Sequence, residues 1–193
     1  MSKIFTLSRS LWSLAILLLL TTSVQAIEVK GIRFAEQYVV DQEELMLTGA
    51  AALKWALLFD VYAGAFYLPE GVSGSNWTED VPKRLELAYF RNFKAEDFSS
   101  SSDKLLRDSL SAVDYQALEE RLQRFYALFR DIKPGDRYSL TYRFGTGTEL
   151  RLNDELLGVA PGADFAVAYF GLWLGPQPIN ENFRDSLLDG RSG

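Results

Sequence analysis

Residues 164–190, DFAVAYFGLWLGPQPINENFRDSLLDG, decide the fold of this chain, because they encode two helices on either side of a Gly-Pro break. Asp164 is a favourable N-cap for the first helix, which is apolar on nearly every side and is therefore expected to be buried all round. Gly175 and the proline after it end that helix. Asn180 starts a second, amphipathic helix, and Gly190 is placed to stop it. Such a segment belongs in a core rather than in a tail.

The rest of the chain predicts strands, then a pair of helices, then strands again. Alternating apolar and polar residues indicate the strands, whereas apolar residues at spacings of three and four indicate the helices. The predicted strands are 29–34, 38–40, 45–47, 84–93, 138–144, 148–152 and 155–159, and the predicted helices are 95–110 and 111–131. Together with the two terminal helices, this order predicts an α+β domain.

The apolar run 50–68 could be mistaken for a membrane span. Lys54 and Asp60 interrupt it, and charged side chains are costly inside a bilayer. Two apolar strands joined by a turn and buried against helices on one side fit the pattern better. The sequence therefore predicts no stable membrane span in the mature chain.

The first residues predict export. A basic start, an apolar run at 11–20 and small residues ending at Ala26 are typical of a cleaved signal peptide. The apolar run is short for a membrane anchor, which needs about 20 residues. We therefore expect a signal peptide over 1–26, with cleavage after Ala26, and one domain over 27–193 in the periplasm or the outside medium.

Composition excludes several kinds of chemistry. The chain has no Cys and no His, which rules out disulfides, thiolate nucleophiles, a Ser-His-Asp triad and a zinc site built from Cys or His. Its formal net charge of −6 argues against a nucleic-acid partner, because such binding depends on Lys and Arg neutralising phosphates. We expect no metal and no cofactor. Any catalysis would have to use Tyr, Lys, Arg, Asp, Glu or water.

Three motifs together resemble a known family. They are TGAAALKWALLFDVYAGAFYLP at 48–69, PGDRY at 134–138 and FGLWLGPQPI at 170–179, and they resemble bacterial chalcone isomerase-like proteins from about residue 29 to residue 190. The resemblance implies an open-faced sandwich, in which a layer of helices covers one face of a large antiparallel sheet, with a ligand between them. It does not imply isomerase activity, since many members, including those similar to plant fatty-acid-binding relatives, lack the catalytic set.

Lys54 is the first candidate site residue, because a charge inside an apolar run must be paired, hydrated or bound to a ligand. In the family that the three motifs resemble, the position matching Lys54 is usually Arg, which faces the cavity and meets a ligand oxyanion or carboxylate. Lysine keeps the charge and loses the planar, bidentate grip. The alternative is a surface lysine whose stem covers apolar neighbours.

Tyr62 and Arg91 are the other two candidate site residues. Tyr62 and Tyr67 are five residues apart and are expected on opposite faces of one strand, so only one can line a cavity. By the resemblance, Tyr62 occupies the position at which catalytic chalcone isomerases carry a threonine, and this replacement argues against the isomerase reaction. Tyr62 could still donate a hydrogen bond to a carboxylate. Alternatively, it simply fills the core. Arg91, on the predicted strand beside Tyr89, is a second possible anchor for an acidic ligand, or else the partner of Glu86 or another acid in an ion pair.

These observations support three hypotheses. The first is an exported, non-enzymatic binding protein for a fatty acid or similar amphiphilic carboxylate, with Lys54, Tyr62 and Arg91 as ligand-binding residues. The second is an intramolecular lyase or isomerase of the chalcone type, in which Lys54 would stabilise an enolate or phenolate. The third is a structural or interaction module whose core is filled by its own aromatic side chains.

Overall fold

The computed structural model of the chain describes residues 26–55 and 59–190, in which strands and helices alternate in blocks. The strands are β1 (Ala26–Val29), β2 (Ile32–Ala35), β3 (Gln37–Val40), β4 (Glu43–Trp55), β5 (Phe59–Pro69), β6 (Lys83–Tyr89), β7 (Arg137–Arg143), β8 (Gly147–Leu152) and β9 (Glu155–Ala160). The helices are α1 (Ala95–Ser109), α2 (Ala112–Tyr126), α3 (Ala163–Leu174) and α4 (Glu181–Leu188). This order confirms the predicted α+β class.

One antiparallel sheet organises the domain. Its strands lie in the order β3-β4-β5-β6-β7-β8-β9, so each strand pairs with its neighbour in sequence, and β1 pairs with β2 in a separate hairpin. The two long apolar strands predicted within 50–68 are β4 and β5, which pair antiparallel from Leu45 opposite Pro69 to Trp55 opposite Phe59. The turn predicted between them lies outside the described residues.

The two faces of the sheet have different coverings. The four α-helices cover one face, where side chains such as Phe66, Leu85 and Leu140 form a large core with Phe165 and Phe170. The β1–β2 hairpin covers part of the other face over a smaller cluster. This arrangement confirms the predicted open-faced sandwich.

The alternation along β5 is as predicted. Tyr62 lies in the core on the helix side, whereas Tyr67 lies in the cluster on the hairpin side, where its hydroxyl donates to the carbonyl of Ala35 at 3.0 Å. The two tyrosines therefore serve different faces of the sheet, and only Tyr62 can reach a space beneath the helices.

A charged cluster also occupies the hairpin side. The side chain of Arg84 is 3% exposed; it donates to the carboxylate of Glu86 at 3.0 Å and to the hydroxyl of Thr141 at 2.9 Å. Glu86 accepts a further bond from Arg137. Glu86 thus neutralises two guanidinium groups on a largely buried surface.

The second helix is shorter than predicted. The spacing of apolar residues predicts a helix to about Asp131, but α2 ends at Tyr126. Ile132 pairs with Phe93 as an isolated β-bridge, with backbone N–H to carbonyl distances of 2.9 and 3.2 Å. Since that pairing needs an extended chain, the helix has to end before it.

The terminal helices form as predicted, with one difference at the start of α3. The side chain of Asn180 caps α4, its oxygen accepting the N–H of Phe183 at 2.8 Å. At α3, however, Gly162 is the N-cap, with a φ of 101° that favours glycine. Asp164 lies within the first turn and binds Arg121 of α2, whose Nη1 is 2.7 Å away. The predicted capping role of Asp164 is therefore wrong.

The apolar helix α3 is not enclosed on every side. Phe165, Phe170 and Leu172 are buried, whereas Val167 and Gly171 are half-buried along one flank. The expectation of complete burial is wrong on that flank, because a groove remains between it and α2.

Two expectations concern a membrane span and the signal peptide. Within residues 26–55 and 59–190, no helix combines the length and the apolar character needed to cross a bilayer. The predicted signal peptide lies outside the described residues, except for Ala26, the first residue of β1.

Candidate functional site

A cleft of about 680 Å³ opens at one end of the sheet, between the β4–β5 pair, α1 and the segment that joins α3 to α4. Its base is apolar and includes Leu53 and Leu172. Its rim is polar and carries Lys54, Asn92, Asp97 and Asn180. An apolar base with a few polar groups at the mouth is the usual form of a small-molecule site. We call this space the cleft.

Lys54 lines the cleft beside an irregularity in the pairing of β4 with β5. Leu53 lies opposite Tyr62 and Lys54 opposite Asp60, which leaves Val61 of β5 as an extra residue. Leu53 and Lys54 are neighbours on β4, and neighbours on a regular strand point to opposite faces. Both nevertheless line the cleft, which opens at the end of the sheet.

The ammonium group of Lys54 is exposed at the rim. Its cross-strand partner, Asp60, lies 3.7 Å from the Nζ of Lys30 instead. A solvated cation beside an apolar cleft can attract an anionic head group at modest desolvation cost. The structure therefore combines the two alternatives raised by the sequence, since Lys54 is a surface lysine that also lines the cleft.

Tyr62 is one of the buried polar residues of the cleft. The indole N–H of Trp173 donates to its hydroxyl at 3.0 Å, and the rings of Tyr89 and Phe183 pack edge-on against it at 5.4 and 5.5 Å. In the described part of the chain, the hydroxyl donates its own proton to no acceptor. Burial raises the pKa of Tyr62 far above its ordinary value, more than the bond from Trp173 lowers it. Tyr62 therefore stays a neutral donor, oriented by Trp173 and available to a ligand oxygen.

Tyr89 is a second buried tyrosine at the cleft that sequence reasoning did not single out as a site residue. Its ring packs edge-on against Tyr62, Phe98 and Tyr138, with centroid separations of 5.4, 5.5 and 6.1 Å. Burial, above all, raises the pKa of Tyr89 well above the ordinary value. Its position on β6 opposite Tyr62 on β5 follows from the strand register, which local patterns do not reveal.

A small void lies deeper in the domain, beyond the cleft. It has a volume of about 40 Å³ and is lined mainly by aromatic and aliphatic side chains. Four residues, Tyr89, Phe98, Ser102 and Trp173, line both the cleft and the void. This void is far smaller than the cleft.

Arg91 lies outside the cleft. The strand β6 ends at Tyr89, so Arg91 does not continue it inward as predicted but is exposed in a shallow surface depression. Its guanidinium group lies 4.6 Å from the centroid of the Phe59 ring, and its Nε donates to the carbonyl of Asp60 at 3.3 Å. The alternative ion pair with Glu86 does not form, because Glu86 binds two other arginines.

The structure therefore places two of the three candidate residues, Lys54 and Tyr62, in one cleft and the third, Arg91, in a neighbouring depression. Asn92 lines both spaces, so the two adjoin. Sequence reasoning assigned Trp173 only to a buried helix, and the structure adds it to the site as the residue that orients Tyr62.

Comparisons with known proteins agree with this architecture. The model of the chalcone isomerase-like family matches residues 26–189. Among solved structures, a fatty-acid-binding protein of Arabidopsis thaliana has the same fold, with a TM-score of 0.66 and 19% sequence identity over 86% of this chain and 96% of that one. Among curated proteins, none matches the sequence.

Proposed function

This chain belongs to the chalcone isomerase-like family, and from that premise we propose that it is a non-enzymatic protein that binds a fatty acid or a similar amphiphilic carboxylate in the cleft. The observation that carries the proposal is the meeting of Lys54 and Tyr62 at one apolar cleft. Lys54 supplies a cation at the rim, and Tyr62 supplies a neutral, oriented proton donor. Leu53 and Leu172 supply an apolar base for the tail. The solved fatty-acid-binding protein of the same fold supports this role.

A catalytic role for Tyr62 is disfavoured by its environment. Burial raises the pKa of Tyr62, so its phenolate form is negligible at neutral pH and it is a poor general base. The indole of Trp173 already occupies one lone pair of the hydroxyl. Binding by hydrogen bonding needs only the proton that remains.

A direct binding measurement tests the proposal. Delipidated protein is titrated with dodecanoate in a calorimeter, and we expect saturable binding at one site. Lys54→Ala should weaken binding about twofold to fivefold, as expected for an ion pair at an exposed rim, and Tyr62→Phe about threefold to tenfold, as expected for a buried neutral hydrogen bond. Lys104→Ala is the matched control, since this lysine pairs with Asp108 on the outer surface of α1.

The same series tests the role predicted for Arg91. If the carboxylate is held only in the cleft, Arg91→Ala binds as the wild type does; if the ligand reaches the neighbouring depression, Arg91→Ala weakens binding as Lys54→Ala does. Failure of dodecanoate to bind the wild type would contradict the proposal. Turnover of a chalcone that Lys54→Ala abolishes would establish the enzymatic alternative instead.

We also propose that the protein acts after export, in the periplasm or the outside medium. The support is the signal-peptide pattern that ends at Ala26. The intact mass of the protein recovered from its native host tests this proposal. We expect the mass of a chain that starts at Ile27, and a chain that retains the first 26 residues would contradict it.

A further inference from the structure

A recess on the hairpin side of the sheet carries an excess of positive charge. It has a volume of about 330 Å³ and lies between the β1–β2 hairpin, the sheet and the turn that joins β8 to β9. Its lining includes three arginines, Arg33, Arg84 and Arg137, but only two acids, Glu86 and Asp154. We propose that this recess binds a phosphate group. The sheet separates it from the cleft, which makes it a second site, beyond the proposed function.

Two of the arginines share a single counter-charge. Glu86 accepts from Arg84 through one carboxylate oxygen and from Arg137 through the other. One carboxylate balances one guanidinium group, so the pair keeps one unbalanced positive charge. The side chain of Arg84 is 3% exposed, and its guanidinium group lies 4.0 Å from the centroid of the Tyr38 ring. Since a buried charge is costly unless it is paired, an anion in the recess would stabilise this arrangement.

Ser139 supplies a free hydroxyl to the recess. It lies on β7 opposite Glu86 and is 5% exposed. Within residues 26–55 and 59–190 its hydroxyl makes no hydrogen bond, whereas the hydroxyl of Thr141, two residues further along the same face, is paired with Arg84. Buried side-chain hydroxyls usually have a partner. The hydroxyl of Ser139 is therefore available to donate to an oxygen atom bound in the recess.

Arg33 adds a cation at the edge of the recess. Its side chain is exposed and, in the described part of the chain, forms no ion pair. Its backbone carbonyl accepts a hydrogen bond from the guanidinium group of Arg137 at 3.1 Å, which holds β2 beside β7. A guanidinium group can bind a phosphate through two parallel hydrogen bonds. Arg33 is thus placed to contact an anion that also contacts Arg137.

A phosphate group suits these donors better than a carboxylate does. Arg33 faces the recess from the hairpin, whereas Arg137 and Ser139 face it from β7. A phosphate group presents oxygens in three directions and carries a charge of about −1.5 to −2 at neutral pH. A carboxylate presents two oxygens in one plane and a single charge. The guanidinium charge left over by Glu86 and the charge of Arg33 together match the larger value.

Asp154 opposes the binding of an anion. It lines the recess from the β8–β9 turn, is exposed and has no ion-pair partner among the described residues. Its carboxylate repels a phosphate group at short range, and exposure to water weakens that repulsion. Removing this charge should therefore tighten binding, which gives the test a variant of opposite sign.

A titration followed by NMR tests the proposal. Protein labelled with ¹⁵N is titrated with sodium phosphate and, separately, with sodium acetate, with sodium chloride adjusted to hold the ionic strength constant. We expect saturable shifts of the Ser139 amide signal and of the Arg137 Nε–H signal with phosphate, and a weaker midpoint with acetate. Sedimentation with phosphatidylglycerol vesicles, measured in parallel, distinguishes a lipid head group from a free phosphate compound as the source of the phosphate group.

Four variants locate the bound phosphate. Ser139→Ala should weaken phosphate binding about threefold to tenfold, because a hydrogen-bond donor is lost, and Arg33→Ala about twofold to fivefold, because an exposed ion pair is lost. Asp154→Asn should tighten binding about twofold. Arg124→Ala is the matched control, since this exposed arginine pairs with Glu120 on α2, and it should bind phosphate as the wild type does.

Shifts that rise without saturation would overturn the proposal, as would midpoints that neither Ser139→Ala nor Arg33→Ala changes. Equal midpoints for phosphate and acetate would overturn the assignment of a phosphate group. The titration midpoint does not depend on how much of a variant is folded. Because the recess and the cleft share no lining residue, Ser139→Ala should bind dodecanoate as the wild type does, and failure of one site leaves the other intact.

Discussion

Gly49 of β4 offers a sharp test of how α4 is seated on the sheet. A Cβ atom added at Gly49 would lie 2.1 Å from the carbonyl oxygen of Ser186 and 2.7 Å from that of Leu187, both in α4. Ordinary contacts of a Cβ begin at 3.4 Å. In Gly49→Ala the helix backbone must therefore move away from β4 by more than 1 Å, because no side chain can rotate to relieve the clash.

The magnitude follows from what α4 buries. Overpacking a tight contact costs about 1–3 kcal/mol. Complete detachment of α4 would expose Phe183 and Leu187, which are 2% and 0% exposed, at a cost of about 3–6 kcal/mol for the two. We expect the free energy of unfolding to fall by about 3 kcal/mol, the value at which these two ranges meet.

Urea unfolding followed by tryptophan fluorescence measures this change, and Gly171→Ala is the matched control. A Cβ at Gly171 would meet only the Trp77 ring, at 3.7 Å, and Gly171 lies inside α3. Glycine in a helix interior is about 0.5–1 kcal/mol less stable than alanine, so Gly171→Ala should stabilise the protein by about that amount. A loss below about 1 kcal/mol in Gly49→Ala, or equal losses in both variants, would refute the close seating of α4.

Three further predictions concern capping, charge and pH. Asn180→Ala should lower the free energy of unfolding by about 1 kcal/mol, and Asn180→Asp should keep most of it, because aspartate also caps; thermal unfolding distinguishes them. Glu86→Gln leaves the guanidinium groups of Arg84 and Arg137 without a counter-charge on a largely buried surface, so the free energy of unfolding in urea should fall by about 2 kcal/mol. The control Glu119→Gln, at an exposed position, should lower it by less than about 0.5 kcal/mol. Burial lowers the pKa of Lys83 to about 8, so between pH 8 and about 10 the unfolded chain binds more protons than the folded one. In this range the free energy of unfolding should therefore rise with pH, by at most about 1.4 kcal/mol per pH unit. A rise that persists in Lys83→Met would show that another group is responsible.

Much of the fold was predictable because it depends on residues close together in sequence. The alternation along β5 determines that Tyr62 and Tyr67 face opposite sides of the sheet. The cap at Asn180 depends on a backbone N–H three residues away. The strand-helix-strand-helix order follows from local periodicity and turn residues, and the motifs at 48–69 and 170–179 were sufficient to indicate the family.

The candidate site was only partly predictable. The sequence by itself determined the α+β class, the single large sheet and the presence of a cation, Lys54, in an apolar run. Only the tertiary structure decided which residues share a cleft: Lys54 and Tyr62 line one space at the end of the sheet, the end of β6 at Tyr89 leaves Arg91 outside, and Trp173 reaches Tyr62 across 111 positions of sequence. The physical reason is that such partners are chosen by strand register and helix packing, which depend on the whole core, whereas caps and periodicity depend on a few neighbouring residues.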